Sequence, residues 1–242
     1  MSAREFPLFP EDFRLFLASQ SPRRRELLRA AGIPFEVVTT EAEELVEGMA
    51  PGELALENAR RKCRAVHLPR AQCPSFILGT DTVVVVGEEV LGKPADAVEA
   101  AAMLRRLSGR EHEVISGVAL SRRGEARAGA AGAADADEPR GAARADAASA
   151  SVSAPVSVAE AARTRVTFTR LSEPWIEAYL DSGEWQGKAG AYAIQGRAGL
   201  FVEGIAGEYS NVVGLPLCLL AKLFADLGFD VMARRWILPP EV

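Results

Sequence analysis

A chain of 242 residues with 48% hydrophobic content can bury a full core, as one large domain or two small lobes, without staples. Cys63, Cys73 and Cys218 are widely spaced with no CxxC, and His67 and His112 are isolated. This argues against a disulfide framework, a zinc site or a histidine-based triad, and leaves oxygen ligands for any metal. A net charge of −5 argues against general nucleic-acid affinity. No apolar run approaches the roughly 18 residues of a membrane span, and the acidic start lacks the apolar core of a signal peptide. A cytoplasmic protein with a small target is expected, with no nucleic-acid or membrane partner.

Residues 1–13 read as a loose leader. Leu15 to Gly32 then reads as strand, turn and helix: Leu15 to Ala18 is apolar, Ser21 suits the N-cap, Pro22 suits the first helical position, and Gly32 and Pro34 stop the helix. Cations in the first turn oppose the helix dipole by up to about 1 kcal/mol each, yet Arg23, Arg24 and Arg25 stand there together. Uncommitted amides plus arginines suit an anion, most naturally phosphate; the alternative is a solvated helix end.

Phe35 to Thr39 predicts a strand, followed by the acidic run Glu41, Glu43, Glu44 and Glu47, most of which suits a solvated loop. Pro51 to Val66 has helical periodicity, with Lys62 beside its apolar face. Phe76 to Val86 predicts a strand buried on both faces, and Asp81 sits in its middle. A carboxylate there is costly unless it is paired, hydrogen-bonded or metal-bound, which marks Asp81 as a site residue over a capped turn at Gly79. Lys93 is held between Gly92 and Pro94.

Asp96 predicts a cap for a helix running to Leu107, and His112 to Leu120 a further strand. Residues 123–155 carry Val152 as their one larger apolar side chain, so they predict a disordered insertion within a single domain spanning 1–242. Arg165 to Leu171 predicts a strand, and Glu173 to Asp181 a helix packed through Trp175, Ile176, Tyr179 and Leu180. A Gly-rich stretch from Lys188 to Gly199 suits turns or close approach to a ligand. Leu200 to Ile205 predicts a strand, Asn211 to Leu227 one helix with Leu217, Leu220, Ala221 and Phe224 inward, and residues from Trp236 onward a tail.

Several of these stretches coincide with one family. Residues 17–28 (Leu-Ala-Ser-Gln-Ser-Pro-Arg-Arg-Arg-Glu-Leu-Leu), 79–84 (Gly-Thr-Asp-Thr-Val-Val), 92–94 (Gly-Lys-Pro), 103–114, 192–196 (Tyr-Ala-Ile-Gln-Gly) and 211–217 resemble, in order, the Maf family of nucleoside triphosphate pyrophosphatases. The resemblance covers nearly the whole chain outside the leader and the insertion. It implies an elongated α/β fold, a mixed sheet with a cleft between two lobes, related to inosine triphosphate pyrophosphatases. It also implies hydrolysis between the α- and β-phosphates with a divalent metal, Mg²⁺ or Mn²⁺, and a homodimer. By position, Asp81 matches the catalytic aspartate; Arg23, Thr82 and Gln195 match the positions that mark the dTTP and UTP branch; Lys62, Lys93 and Glu44 match further cleft residues. Thr80, Cys63 and Ser116 depart from the common alanine, alanine and threonine, and none of them removes a charge.

The chemistry of these residues agrees with the resemblance. Arg23, Arg24, Lys62 and Lys93 would offset the roughly four negative charges of a triphosphate. Asp81 and Glu44 would hold the metal, Asp81 would orient the attacking water or take its proton, and the Gln195 amide would match the edge of uracil or thymine. Two competing readings remain at this stage: a nucleotide-sensing protein of cell division that binds without cleaving, and a pyrophosphatase of 7-methyl-GTP.

Overall fold

The computed structural model describes residues 8–45, 48–68, 75–123 and 156–237. Seven strands form one mixed sheet: β1 Leu15–Ala18, β2 Glu36–Val37, β3 Ser75–Val86, β4 Glu89–Leu91, β5 Glu111–Arg123, β6 Val156–Phe168 and β7 Val202–Ala206. Their order is β2-β1-β3-β5-β6-β7, with β4 also paired to β3. β1 runs parallel to β2 and β3, whereas β3, β5, β6 and β7 are successively antiparallel.

The long strands β3 and β5 thread two cores on one face of the sheet. Near the start of β3, Phe76 and Leu78 pack with Leu15, Phe224 and Phe229. Near its end, Val84 and Val86 pack with Leu104, Phe168 and Tyr179. Thr80, Thr82 and Ser116, polar residues of β3 and β5, fall between these cores and divide the molecule into two lobes.

Helix α2, Pro51–Arg64, covers the opposite face through Ala55, Ala59 and Cys63. It lies so close that a Cβ on Gly79 would stand 2.2 Å from the Ala59 carbonyl oxygen, and one on Gly117 2.3 Å from that of Ala55. Glycine inside a strand serves this close backbone approach. α1 (Pro22–Ala30), α3 (Ala97–Leu107) and α4 (Glu173–Asp181) follow the sequence pattern closely. Asp96 caps α3, its Oδ1 accepting the Glu99 amide at 2.8 Å.

Other expectations need correcting. The strand expected over Phe35 to Thr39 shrinks to Glu36–Val37, and the one expected from Arg165 begins at Val156, because β6 pairs with β5 from Arg122 onward. The single helix expected from Asn211 is two, α5 Tyr209–Val213 and α6 Leu217–Asp226. Gly214, at φ 122°, and Pro216 break it. The break turns α6 so that Leu219, Leu220, Leu223 and Phe224 are its buried residues. Of the expected α4 face, Ile176 and Tyr179 are buried but Trp175 is exposed.

The leader and tail are also structural where they are described. Phe13 is buried against Phe229, with ring centroids 4.8 Å apart. Trp236 lies in β9 (Arg235–Trp236), paired with β8 (Phe229–Asp230), and stacks on Phe76 at 5.7 Å. Its indole N–H donates to Asp12 Oδ2 at 3.1 Å. Of the insertion expected over 123–155, Arg123 is the last residue of β5, paired with Ser75, and 124–155 lie outside the described residues, as does Cys73.

Candidate active site

Strand β3 is paired unevenly along one edge. β1 accompanies it as far as Gly79 and β4 joins only at Val84, so Thr80 to Val83 face a gap between the two. A cleft of about 360 Å³ opens there. Around it converge the first turn of α1 (Arg23, Arg24), the segment bearing Glu44, Lys62 of α2, Asp81 and Thr82 of β3, and Lys93 after β4. The second lobe adds Lys188 and Tyr192, and Gly214 lines the cleft where the cores meet, between Val213 of one and Leu215 of the other. Residues scattered over the first hundred positions thus meet at the point where one strand ends before its neighbour does.

Asp81 and Lys62 are both nearly buried, at 7% and 9% exposure. The Lys62 ammonium donates to Asp81 Oδ1 at 2.7 Å and lies 2.7 Å from Glu44 Oε1. Asp81 Oδ2 accepts from the Asn58 amide at 3.1 Å. Lys93 Nζ stands 3.5 Å from Glu44 Oε2. Burial pushes the Glu44 carboxyl up, but the hydrogen bond and charge of Lys62, with Lys93, outweigh it and hold Glu44 below the usual carboxylate range. The buried aspartate that the sequence marked is therefore paired as well as hydrogen-bonded.

The two arginines differ. Arg24 ties α1 to the seam between the lobes: its Nε donates to the Gly214 carbonyl at 2.8 Å, one terminal nitrogen to Ser19 Oγ at 3.0 Å and the other to Thr82 Oγ1 at 3.1 Å. Three of its five N–H groups are thereby committed to the protein. Burial, only partly offset by the charge of Asp81, lowers the Arg24 pKa to about 10, so it remains a cation at neutral pH. Thr82 Oγ1 also meets Ser116 Oγ at 2.9 Å. Arg23 instead lines the cleft near Lys188: burial lowers the pKa of both, and the charge of Arg23 adds to the effect on Lys188. Cations disfavoured in this way gain from a bound anion.

Ser21 occupies the N-cap of α1 without a side-chain bond to the first turn, which lines the cleft. Gln195 is the one candidate residue the structure leaves outside, exposed on the turn after Tyr192. Asn58 and Lys188 are not marked as site residues by the sequence; Ser116 enters there only as a departure from the family pattern, and Tyr192 only as the first residue of a matched motif. Asn58 and Lys62 are four residues apart on one helix, a spacing that places them on the same face and could have drawn attention to Asn58. The Gly-rich stretch that starts at Lys188 suits close approach to a ligand, but nothing in it marks the Lys188 side chain itself.

Among the described residues no group of three or more His, Cys, Asp or Glu side chains gathers as a metal cage. Asp81 and Glu44 nevertheless converge on one cation, the Lys62 ammonium. Two hard carboxylates suit Mg²⁺ or Mn²⁺ where a polyphosphate supplies the other oxygens.

The profile of the Maf-like protein family matches residues 14–227. A dTTP/UTP pyrophosphatase of Symbiobacterium thermophilum is 42% identical over 221 residues, covering 90% of this chain and 96% of that protein. One from Thermococcus kodakarensis is 41% identical over 220 residues, covering 91% and 100%. Another, from Anaeromyxobacter dehalogenans, is 42% identical over 223 residues, covering 92% and 98%. A solved nucleoside-triphosphatase (dITP/XTP pyrophosphatase) from Mycobacterium abscessus aligns at a TM-score of 0.34 and 18% identity over 65% of this chain and 75% of its own, too loosely to bear on the reading.

Proposed function

The chain belongs to the Maf-like protein family, and on that premise we propose that it hydrolyses dTTP and UTP to the nucleoside monophosphate and pyrophosphate. The observation that carries the reading is the Asp81–Lys62–Glu44 cluster, set in a cleft whose other walls bring Arg23, Lys93 and Lys188. A site with this balance suits an anionic chain that must be held at several oxygens and attacked at one phosphorus.

In this reading Arg23, Lys93 and Lys188 hold the phosphates, and Lys62 neutralises the carboxylates in the absence of substrate. Asp81 takes a proton at a carboxylate oxygen from the water that attacks the α-phosphorus, and the α–β anhydride bond breaks with pyrophosphate leaving. Asp81 and Glu44 would hold a divalent cation, which when bound would supply charge neutralisation at the phosphate oxygens. Arg24 joins the two lobes around the nucleotide. Gln195 reads the pyrimidine edge if its turn closes on the base, and Gln195→Leu tested on UTP against CTP measures that contribution.

The test is pyrophosphate release with Mg²⁺ or Mn²⁺ across dTTP, UTP, CTP, dATP, GTP, ITP and 7-methyl-GTP. Turnover confined to the thymine and uracil nucleotides is expected, with Asp81→Asn losing at least about 100-fold in kcat while keeping its fold. Faster turnover of 7-methyl-GTP than of UTP would overturn the specificity; tight binding with no release would favour a sensor. A cytoplasmic location and a homodimer complete the reading, to be checked by fractionation and by sedimentation. No helix among the described residues is long and apolar enough to cross a membrane.

A further inference from the structure

We propose that Asn58 is the positioning residue of this site, a single buried amide that sets the Asp81 carboxylate and the Glu44 segment in one register. Asn58 lies in α2 one turn before Lys62 and is 2% exposed. Its Oδ1 accepts the Leu45 N–H at 2.7 Å, and its Nδ2 donates to the Leu45 carbonyl at 2.9 Å and to Asp81 Oδ2 at 3.1 Å. The two bonds to Leu45 imitate a pair of backbone bonds. They pin to α2 the residue that follows Glu44, in a stretch, Glu41 to Leu45, that has neither helix nor strand.

The chemistry calls for asparagine in particular. A planar amide of this length offers a donor and an acceptor from one rigid end; an aspartate has no donor and an aliphatic residue has neither. Lys62 takes one oxygen of Asp81 and Asn58 the other, so the plane of the carboxylate is held from two points on the same helix. Both Lys62 and Asn58 depend on the close seating of α2 over Gly79 and Gly117. Asn58 is absent from the cleft wall, so it acts through Asp81 and Glu44 and not on the substrate.

The activity arm of the test rests on the pyrophosphatase reading; the exchange arm does not. Asn58→Ala removes all three bonds, whereas Asn58→Asp keeps the shape and the acceptor for Leu45 but loses both donations. Each variant is expected to lower kcat on UTP by about 10- to 100-fold with KM changed less than about threefold, as for supporting residues that orient a reacting group. Asn58→Ala combined with Glu44→Gln is expected within about threefold of the poorer single variant, because two residues acting through one arrangement are not additive.

Independently, hydrogen exchange of the Leu45 amide is expected to quicken by at least about tenfold in Asn58→Ala while the amides in the middle of α2 stay protected. A kcat within twofold of wild type in either folded variant, multiplicative losses in the double variant, or an unchanged Leu45 exchange rate would overturn the proposal. If Asn58→Ala fails to fold, Asn58→Asp is scored by the same kcat and KM criteria. If wild type releases no pyrophosphate from any nucleotide, the functional reading falls and the Leu45 amide alone decides the role of Asn58.

Discussion

At the scale of single residues, charge and burial set what each side chain can contribute. Arg23 and Lys188 are cations whose surroundings disfavour their charge, so a phosphate between them should be bound strongly. Lys188→Met is expected to raise KM for UTP by about tenfold with a smaller change in kcat, the cost of one charged hydrogen bond, and steady-state kinetics will show whether the loss falls on binding. A different residue governs stability in acid. His112 is buried in β5 with Nε2 2.9 Å from the Tyr192 hydroxyl, and burial lowers its pKa to about 4 from the ordinary 6.5. Between those values the unfolded chain binds the proton more readily, so stability falls as pH drops from about 6.5 toward 4, by up to about 3 kcal/mol from this group. His112→Phe, set among Phe168 and Tyr192, should lose less stability than wild type over that interval in paired denaturant titrations. The residues carrying this chemistry were unevenly legible. Asp81 declared itself as a carboxylate inside an apolar strand, and the arginines by opposing a helix dipole. Lys188 and Asn58 did not, because a lysine in a Gly-rich stretch and an asparagine in a helix look ordinary until the fold supplies their neighbours.

At the scale of elements, the seating of α2 on the sheet is the structural basis of the site. Gly117→Ala would put a methyl 2.3 Å from the Ala55 carbonyl oxygen, a backbone atom that cannot turn aside. The helix must lift, and a loss of about 2 kcal/mol or more is expected, together with lower kcat as Asn58 and Lys62 move from Asp81. Thermal melting and steady-state rates on the same preparation would check both; an unchanged melting temperature would mean that α2 is free to shift. Periodicity made α2, α3 and α4 legible, and continuous apolar runs made β3 and β5 legible. It failed where tertiary context decides. β6 begins well before Arg165 because β5 offers it a partner, although Ala159, Ala161 and Ala162 have little strand preference of their own. The break between α5 and α6 was readable in Gly214 and Pro216, but the unbroken apolar pattern on either side obscured it.

For the whole molecule, the cleft lies between two cores strung on the same strands, and Arg24 reaches from α1 to Gly214, where the two cores meet. Arg24→Lys keeps one charge but cannot reproduce three divergent donors, so it is expected to lower kcat/KM by about tenfold or more, with looser lobes visible as faster exchange around Gly214. The two-lobed outline and the cleft were legible only through the family resemblance, since no single stretch of sequence tells where one core stops. What the sequence concealed most fully was the meeting of segments far apart in the chain. Phe13 and Trp236, assigned to a leader and a tail, both pack around Phe76, and the indole bonds to Asp12 across 224 positions. From Asp12 to Trp236 the path of the described residues thus returns to its start. A circular permutant with a short linker from beyond Trp236 back to before Asp12, opened between Arg123 and Val156 at the end of the β5–β6 ladder, should keep the fold and the active-site cleft. The order in which the chain supplies its segments would then not decide the architecture.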